Sequence, residues 1–165
     1  MTKELEYLKD KIVLFDVDGT LMRYDFGAIG KCFTTDEWIH LSTICNIYTE
    51  KGHPTSIFND IIRELGNNAW VITVSLTLHE QRNKIALIKK IHPTIPENHI
   101  LFVGDTKYKV PYIESLIASQ QIYENSKEHK KVVLVDDKDD LLFMHQAAYG
   151  DLAPSFEIRL VSDFI

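Results

Sequence analysis

Residues 12–21 read Ile12-Val13-Leu14-Phe15-Asp16-Val17-Asp18-Gly19-Thr20-Leu21, and the fold turns on them. Four consecutive apolar residues suit a strand buried on both faces, which is the strand of a parallel sheet. That run ends in a carboxylate, a second carboxylate two residues on, and a glycine whose backbone can turn sharply. Open α/β sheets take their ligands in the crevice beyond the carboxyl ends of their strands, so Asp16 and Asp18 stand where chemistry is done. A lone Asp after a strand is ordinarily a turn residue. Two at this spacing, followed by Gly19 and Thr20, ask for more than a turn.

Outward from that stretch, apolar runs alternate with helical patterns to the end of the chain, the signature of a parallel sheet wrapped by helices. Strands are expected at Ile12–Phe15, Trp70–Val74, Ile100–Val103, Val132–Val135 and Phe156–Leu160. Thr55 or Ser56 can cap a helix carrying Ile57, Ile61, Ile62 and Leu65, closed by Gly66 with Asn67-Asn68 as its turn. A second helix runs from His79 to Ile91, with Ile85, Leu87, Ile88 and Ile91 toward the sheet and Pro93 stopping it. Pro111 suits the first position of a helix from Tyr112 to about Tyr123, and Asp139 or Asp140 opens one that reaches Tyr149. Pro154 then separates it from the last strand.

Residues 24–54 break the alternation. One helix is expected over Thr35–Glu50, opened by Thr34 or Thr35 and closed near Gly52, with Trp38, Leu41, Cys45 and Tyr48 as an apolar stripe. The bland reading is a packed crossover helix. The functional one makes Tyr24 to Phe33, with Phe26, Gly27 and Gly30, a small flap over the site. No internal repeat or linker divides the 165 residues, so 1–165 reads as a single domain.

Composition narrows the function. A content of 45% hydrophobic and 25% charged residues is that of a globular protein, and a net charge of -6 argues against a broad nucleic-acid platform. Cys32 and Cys45 are too few for a disulfide framework and lack a zinc-ligand spacing, and the histidines form no H-E-x-x-H motif. The charged start and the lack of any apolar run of about 18 residues leave no signal peptide or membrane span, so a cytoplasmic protein is expected.

Three later positions complete a constellation. Ser75 follows the strand Trp70–Val74, with Thr73 and Thr77 beside it. Lys107 and Lys109 precede a helix, and a lysine there supplies a point charge to acids or phosphate. Val132-Val133-Leu134-Val135 delivers Asp136 and Asp137 to a strand end, where hard oxygen ligands suit Mg²⁺. Asp139 and Asp140 follow, and an acidic helix start alone would favour the dipole without needing the two earlier acids.

In this order, Asp16-Val17-Asp18-Gly19-Thr20-Leu21 and the residues after it resemble the haloacid dehalogenase-like superfamily, most of whose members are Mg²⁺-dependent phosphohydrolases. The resemblance runs from Ile12 to about Asp140. It implies a three-layer Rossmann-like α/β fold, helices on both faces of a parallel sheet, with little or no cap domain. It implies Asp16 as the nucleophile that forms an aspartyl-phosphate, and Asp18 as acid/base. Ser75 would hydrogen-bond the phosphoryl group, and Lys109, which matches better than Lys107, would neutralise charge. Mg²⁺ would be held by Asp16, Asp18 through its backbone carbonyl, Asp136 and Asp137, with Asp139 or Asp140 in support. Gly19, Thr20, Tyr24, Phe26 and Thr77 are the implied substrate contacts.

The substrate class follows as a small phosphate ester. Resemblance to the compact deoxyribonucleotidase-like branch, with an aromatic insertion, points to a nucleotide and 5′-nucleotidase activity. Phosphatase domains of polynucleotide kinases share the DVDGTL core, so a polynucleotide 3′-phosphatase is the alternative, followed by a phosphosugar or phosphoprotein phosphatase. A reading of another class is a receiver-type phosphoacceptor module. That module has its acidic pair on the first strand, a lone acceptor Asp on the third and its lysine on the fifth, whereas here the later acids come as a pair.

Overall fold

A computed structural model of the chain describes residues 2–24, 34–126, 128–150 and 155–165. Among the described residues no helix is long and apolar enough to cross a membrane. The elements are α1 (Lys3–Glu6), β1 (Ile12–Phe15), β2 (Met22–Tyr24), α2 (Thr35–Ile44), α3 (Ile47–Glu50), β3 (Gly52–Pro54) and α4 (Asn59–Leu65). They continue with β4 (Ala69–Val74), α5 (Leu78–Ile91), β5 (Ile100–Val103), α6 (Lys109–Ala118), β6 (Val132–Asp136), α7 (Leu141–Tyr149) and β7 (Glu157–Leu160).

Five strands pair in parallel in the order β5-β4-β1-β6-β7. Counted along the sheet alone this is 3-2-1-4-5, an order compatible with a Rossmann-like fold, and it reverses between β1 and β6. The side-chain period of two divides the core. Val13, Phe15, Val71, Val133 and Val135 pack with Ile61 and Ile62 of α4 and Leu87 and Ile88 of α5. Ile12, Leu14, Ile72, Val132 and Leu134 pack on the other face with Val110, Ile113 and Leu116 of α6 and Leu141 of α7. The central strands β1, β4 and β6 are therefore buried on both faces by flanking helices, while β7 at the sheet edge is half-buried along its length.

Local chemistry sets the helix ends. Thr77 caps α5 by accepting a hydrogen bond from the Glu80 amide at 3.1 Å. Asp140 occupies the N-cap position of α7 without a side-chain bond, and Gly150, at φ +65°, ends it. Pro111 stands at the third residue of α6, still inside the first turn where its missing amide hydrogen is not needed. The helix stops at Ala118, and Tyr123 belongs to a separate short turn after the left-handed Gln120, which corrects the expected run to Tyr123.

Three further expectations are corrected. Thr55 and Ser56 do not cap α4, which begins at Asn59 behind Phe58; the Thr55 hydroxyl instead donates to the Thr20 carbonyl at 2.9 Å. The single helix over Thr35–Glu50 is two, because Asn46 takes up an N-cap role for α3 and accepts from the Thr49 amide. Local Asn bonding competes with helix continuation. Nor is this segment a crossover: it leaves through β2 and returns through β3, an antiparallel pair in which Arg23 faces His53. Gly52 is required there, since a Cβ would sit 2.7 Å from the Tyr48 carbonyl oxygen. Thr34 does cap α2, in a reciprocal box with Glu37. Of the expected stripe, Tyr48 is buried and Trp38, Leu41 and Cys45 are partly so. Phe26, Gly27, Gly30, Cys32, Phe33 and Pro154 lie outside the described residues.

His92, just past α5, is buried and its Nε2 has no hydrogen-bond partner among the described residues; burial pushes its pKa down to about 4. The unfolded chain therefore binds a proton near pH 6.5 that the folded chain refuses until about pH 4, and stability falls as pH falls through that window. We expect His92→Leu to remove up to about 3 kcal/mol of this acid sensitivity. Urea unfolding at pH 7.5, 6 and 4.5 would show it as a flatter stability profile than the parent; parallel profiles would refute it.

Candidate functional site

The reversal of strand order at β1 and β6 opens a crevice at their carboxyl ends, and the acids of both strands lie in it. The register pairs Phe15 with Val135, so Asp16 and Asp136 come next to each other. Between them stands Lys109, the first residue of α6. Its ammonium donates to Asp16 Oδ1 at 2.8 Å and to Asp136 Oδ2 at 2.6 Å, and all three side chains are buried. Asp136 Oδ1 accepts from the Lys138 amide at 2.9 Å. Lys107 is directed elsewhere, its ammonium 5.1 Å from the centre of the Tyr108 ring.

After β1 the chain folds tightly on itself. The Leu21 and Met22 amides both donate to the Val17 carbonyl, and the Gly19 amide donates to that of Met22 at 2.8 Å. Gly19 adopts φ +87°, and a Cβ there would land on the Asp137 carboxylate. Glycine is thus required by both conformation and space. Asp18 is turned to the same crevice, its Oδ2 2.6 Å from the Lys84 ammonium and its Oδ1 accepting from the Tyr24 hydroxyl.

Asp16, Asp18, Gly19, Lys109 and Asp137 line one open cavity of about 390 Å³, together with Tyr24, Trp38, Val74, Thr106 and Lys138. Thr106, Lys138, Trp38 and Lys84 were not anticipated as site residues. A signal for Lys84 exists: Glu80, Lys84 and Ile88 recur every four residues, which puts two charges on the buried face of α5. Ser75, at the end of β4, is buried with a hydroxyl that has no hydrogen-bond partner among the described residues. Thr20 is wholly buried beneath the turn, and Thr77 uses its hydroxyl as a helix cap; neither lines the cavity. Asp139 is exposed and Asp140 precedes α7. Phe26 lies outside the described residues.

The electrostatics reflect crowded negative charge. Burial lifts the Asp16 carboxyl to about 7 despite Lys109, with Asp136 and Asp18 adding repulsion. Desolvation and the adjoining Asp136 raise Asp137 to about 6. Burial alone would lower the Lys109 pKa, but Asp16 and Asp136 outweigh it and raise it. Asp16, Asp136 and Asp137 each offer an oxygen within 4.8 Å of the others. Three hard donors with one lysine among them retain surplus negative charge, and that donor set fits a divalent cation such as Mg²⁺.

No protein-family model matches the chain, and neither a curated protein nor a solved structure matches it.

Replacing the one buried cation between two buried acids leaves both uncompensated. We expect Lys109→Met, measured in chelator at pH 8, to lose about 3–5 kcal/mol of unfolding free energy. Lys109 holds the Asp16 carboxyl down, so without it that carboxyl rises further; acidification from pH 8 then neutralises it in the variant before the parent, and the deficit should shrink as pH falls toward 7. A deficit that is absent, or that grows on acidification, would contradict this charge balance.

Proposed function

We propose that the chain is a Mg²⁺-dependent phosphatase of the haloacid dehalogenase-like superfamily that hydrolyses phosphate monoesters, with a nucleotide as the leading substrate. The observation that carries this is the convergence of Asp16, Asp18, Lys109 and Asp137 on one cavity, with Asp136 bonded to Lys109 beneath it. The order 3-2-1-4-5 also weighs for a three-layer Rossmann-like core and against a receiver module, whose flavodoxin-like order is 2-1-3-4-5. Little of the described chain forms a cap: α2 and α3 pack on α5 and add Trp38 to the cavity wall. Tyr24 and Trp38 supply aromatic surface for a base, their rings 6.1 Å apart edge to face.

In this reading Asp16 attacks phosphorus and the ester oxygen leaves with the proton of Asp18. Asp18 then takes a proton from the water that cleaves the aspartyl-phosphate. Lys109 restrains Asp16 and offsets charge on the transferring group, and the unpartnered Ser75 hydroxyl is a donor for a phosphoryl oxygen. Mg²⁺, held by Asp16, Asp136, Asp137 and the Asp18 carbonyl, would supply positive charge to the phosphoryl oxygens.

A screen of phosphorylated metabolites, nucleotides and 3′-phosphorylated oligonucleotides with Mg²⁺ should find a mononucleotide hydrolysed fastest. Asp16→Asn, nearly isosteric but unable to form the acyl-phosphate, should lower kcat about a thousandfold or more, ~4 kcal/mol of transition-state stabilisation. Activity within tenfold of the parent would rule out attack by Asp16. Chelation or Ca²⁺ should suppress turnover, and Asp136→Ala should raise the Mg²⁺ requirement far more than Asp139→Ala. An identical Mg²⁺ titration for both variants would remove Asp136 from the ligand set.

A further inference from the structure

Asp18 is gripped from inside the protein as well as from the cavity. Oδ1 accepts from Tyr24, a cavity wall, while Oδ2 accepts from Lys84, which is wholly buried on α5. The Lys84 ammonium also donates to Thr73 Oγ1 at 2.9 Å and to the Val74 carbonyl at 2.5 Å, so its three hydrogens are all assigned. One turn earlier on α5, Glu80 Oε1 lies 3.5 Å from Lys84. The buried Glu80 carboxylate further accepts from Trp38 Nε1 and the Tyr48 hydroxyl, both at 3.1 Å, and from the Leu76 amide at 2.9 Å. A buried ion pair stabilises a fold little better than apolar residues of the same volume. Its place on the packed face of α5 therefore points to a task other than filling the core.

We propose that Lys84, braced by Glu80, is a positioning residue that fixes Asp18 by Oδ2 and reserves Oδ1, on the cavity side, for the proton of the leaving oxygen. The proposal rests on the acid/base role of Asp18 given above. As the bond from Asp16 to phosphorus forms, the ester P–O bond breaks and the Oδ1 proton passes to the departing oxygen; Lys84 stays on Oδ2 and changes no bond. Trp38 and Tyr48 belong to α2 and α3, so the carboxylate that docks this excursion also sets the aim of Asp18.

The test compares an alkyl phosphate, whose leaving oxygen needs a proton, with 4-nitrophenyl phosphate, whose leaving group departs as a stable anion. Lys84→Met should lower kcat/KM, which reports only the steps up to departure of the leaving group, about a hundredfold for the alkyl ester, within the range of general acid catalysis, and by less than about fivefold for the aryl ester; the later hydrolysis of the aspartyl-phosphate is common to both. Equal losses on both esters, or none, would overturn the proposal. Because deleting a buried ammonium can prevent folding, Tyr48→Phe is measured beside it. That variant keeps the ring facing Lys84 at 5.7 Å and removes a donor to Glu80. It should raise the aryl-to-alkyl rate ratio about threefold or more, and an unchanged ratio would overturn the role of the brace. Should the parent protein hydrolyse neither ester, the phosphatase reading fails and the proposal falls with it; an active parent with unshifted ratios sinks the positioning role alone.

Discussion

Asp16 and Asp136 end adjacent strands in register, and a single buried ammonium, that of Lys109, joins them. Like charges at neighbouring strand ends repel, and burial sharpens the repulsion by removing water. The geometry of the site depends on that cation meeting both acids. A one-residue slip of β1 or β6 would turn its acid to the opposite face of the sheet, away from α6. Apolar side chains on both faces oppose such a slip, because every residue of Ile12–Phe15 is buried. The start of α6 is fixed in turn by Asp105, whose side chain accepts from the Lys107 amide in the short turn that delivers Lys109.

The two layers of helices each contribute a lysine. Leu14 and Leu134 face α6 and α7, so Asp16 and Asp136, each two residues further along, come up on that side and meet Lys109. Thr73 lies two residues beyond Val71 on the face covered by α5, and it meets Lys84. Asp16 and Asp18, two residues apart in the chain, are thereby held from opposite layers of the molecule. Movement of α5 and movement of α6 would disturb different carboxylates.

Strand positions and the acidic motif were legible because their signals are local. A run such as Val132–Val135 followed by two acids announces a buried strand and its carboxyl end without knowledge of any partner. Lys109 was legible by its place before a helix, although its twin Lys107 carried the same local signal. Only the turn of the chain into α6 separates them. The hairpin of β2 and β3 was not legible, since three residues on each side, including Arg23 and His53, are too few for alternation to register. Nor was the break before α3, where Asn46 bonds its own turn in preference to continuing α2. Lys84 is the instructive omission. Its role depends on Asp18, 66 residues away in sequence, and on a loop whose path periodicity does not report.

Charge counting ties the two halves of the site together. Asp16 and Asp136 share Lys109 with Asp137 beside them, while Asp18 and Glu80 share Lys84, so five carboxylates cluster about two buried ammonium groups. The raised carboxyls of Asp16 and Asp137 express that imbalance. A phosphate dianion entering the same cavity would add to it, and the exposed Lys138 at the wall offsets only part in water. Under the proposed chemistry, binding of a divalent cation and binding of the phosphate ester are therefore linked. Each relieves a repulsion that the other would otherwise face, and by thermodynamic reciprocity each raises the affinity for its counterpart by the same factor. Under that chemistry the surplus of acids would make a poor anion site of the bare crevice and a selective one of the metal-loaded crevice, because the cation would supply the positive charge that Lys109, committed to Asp16 and Asp136, cannot supply alone.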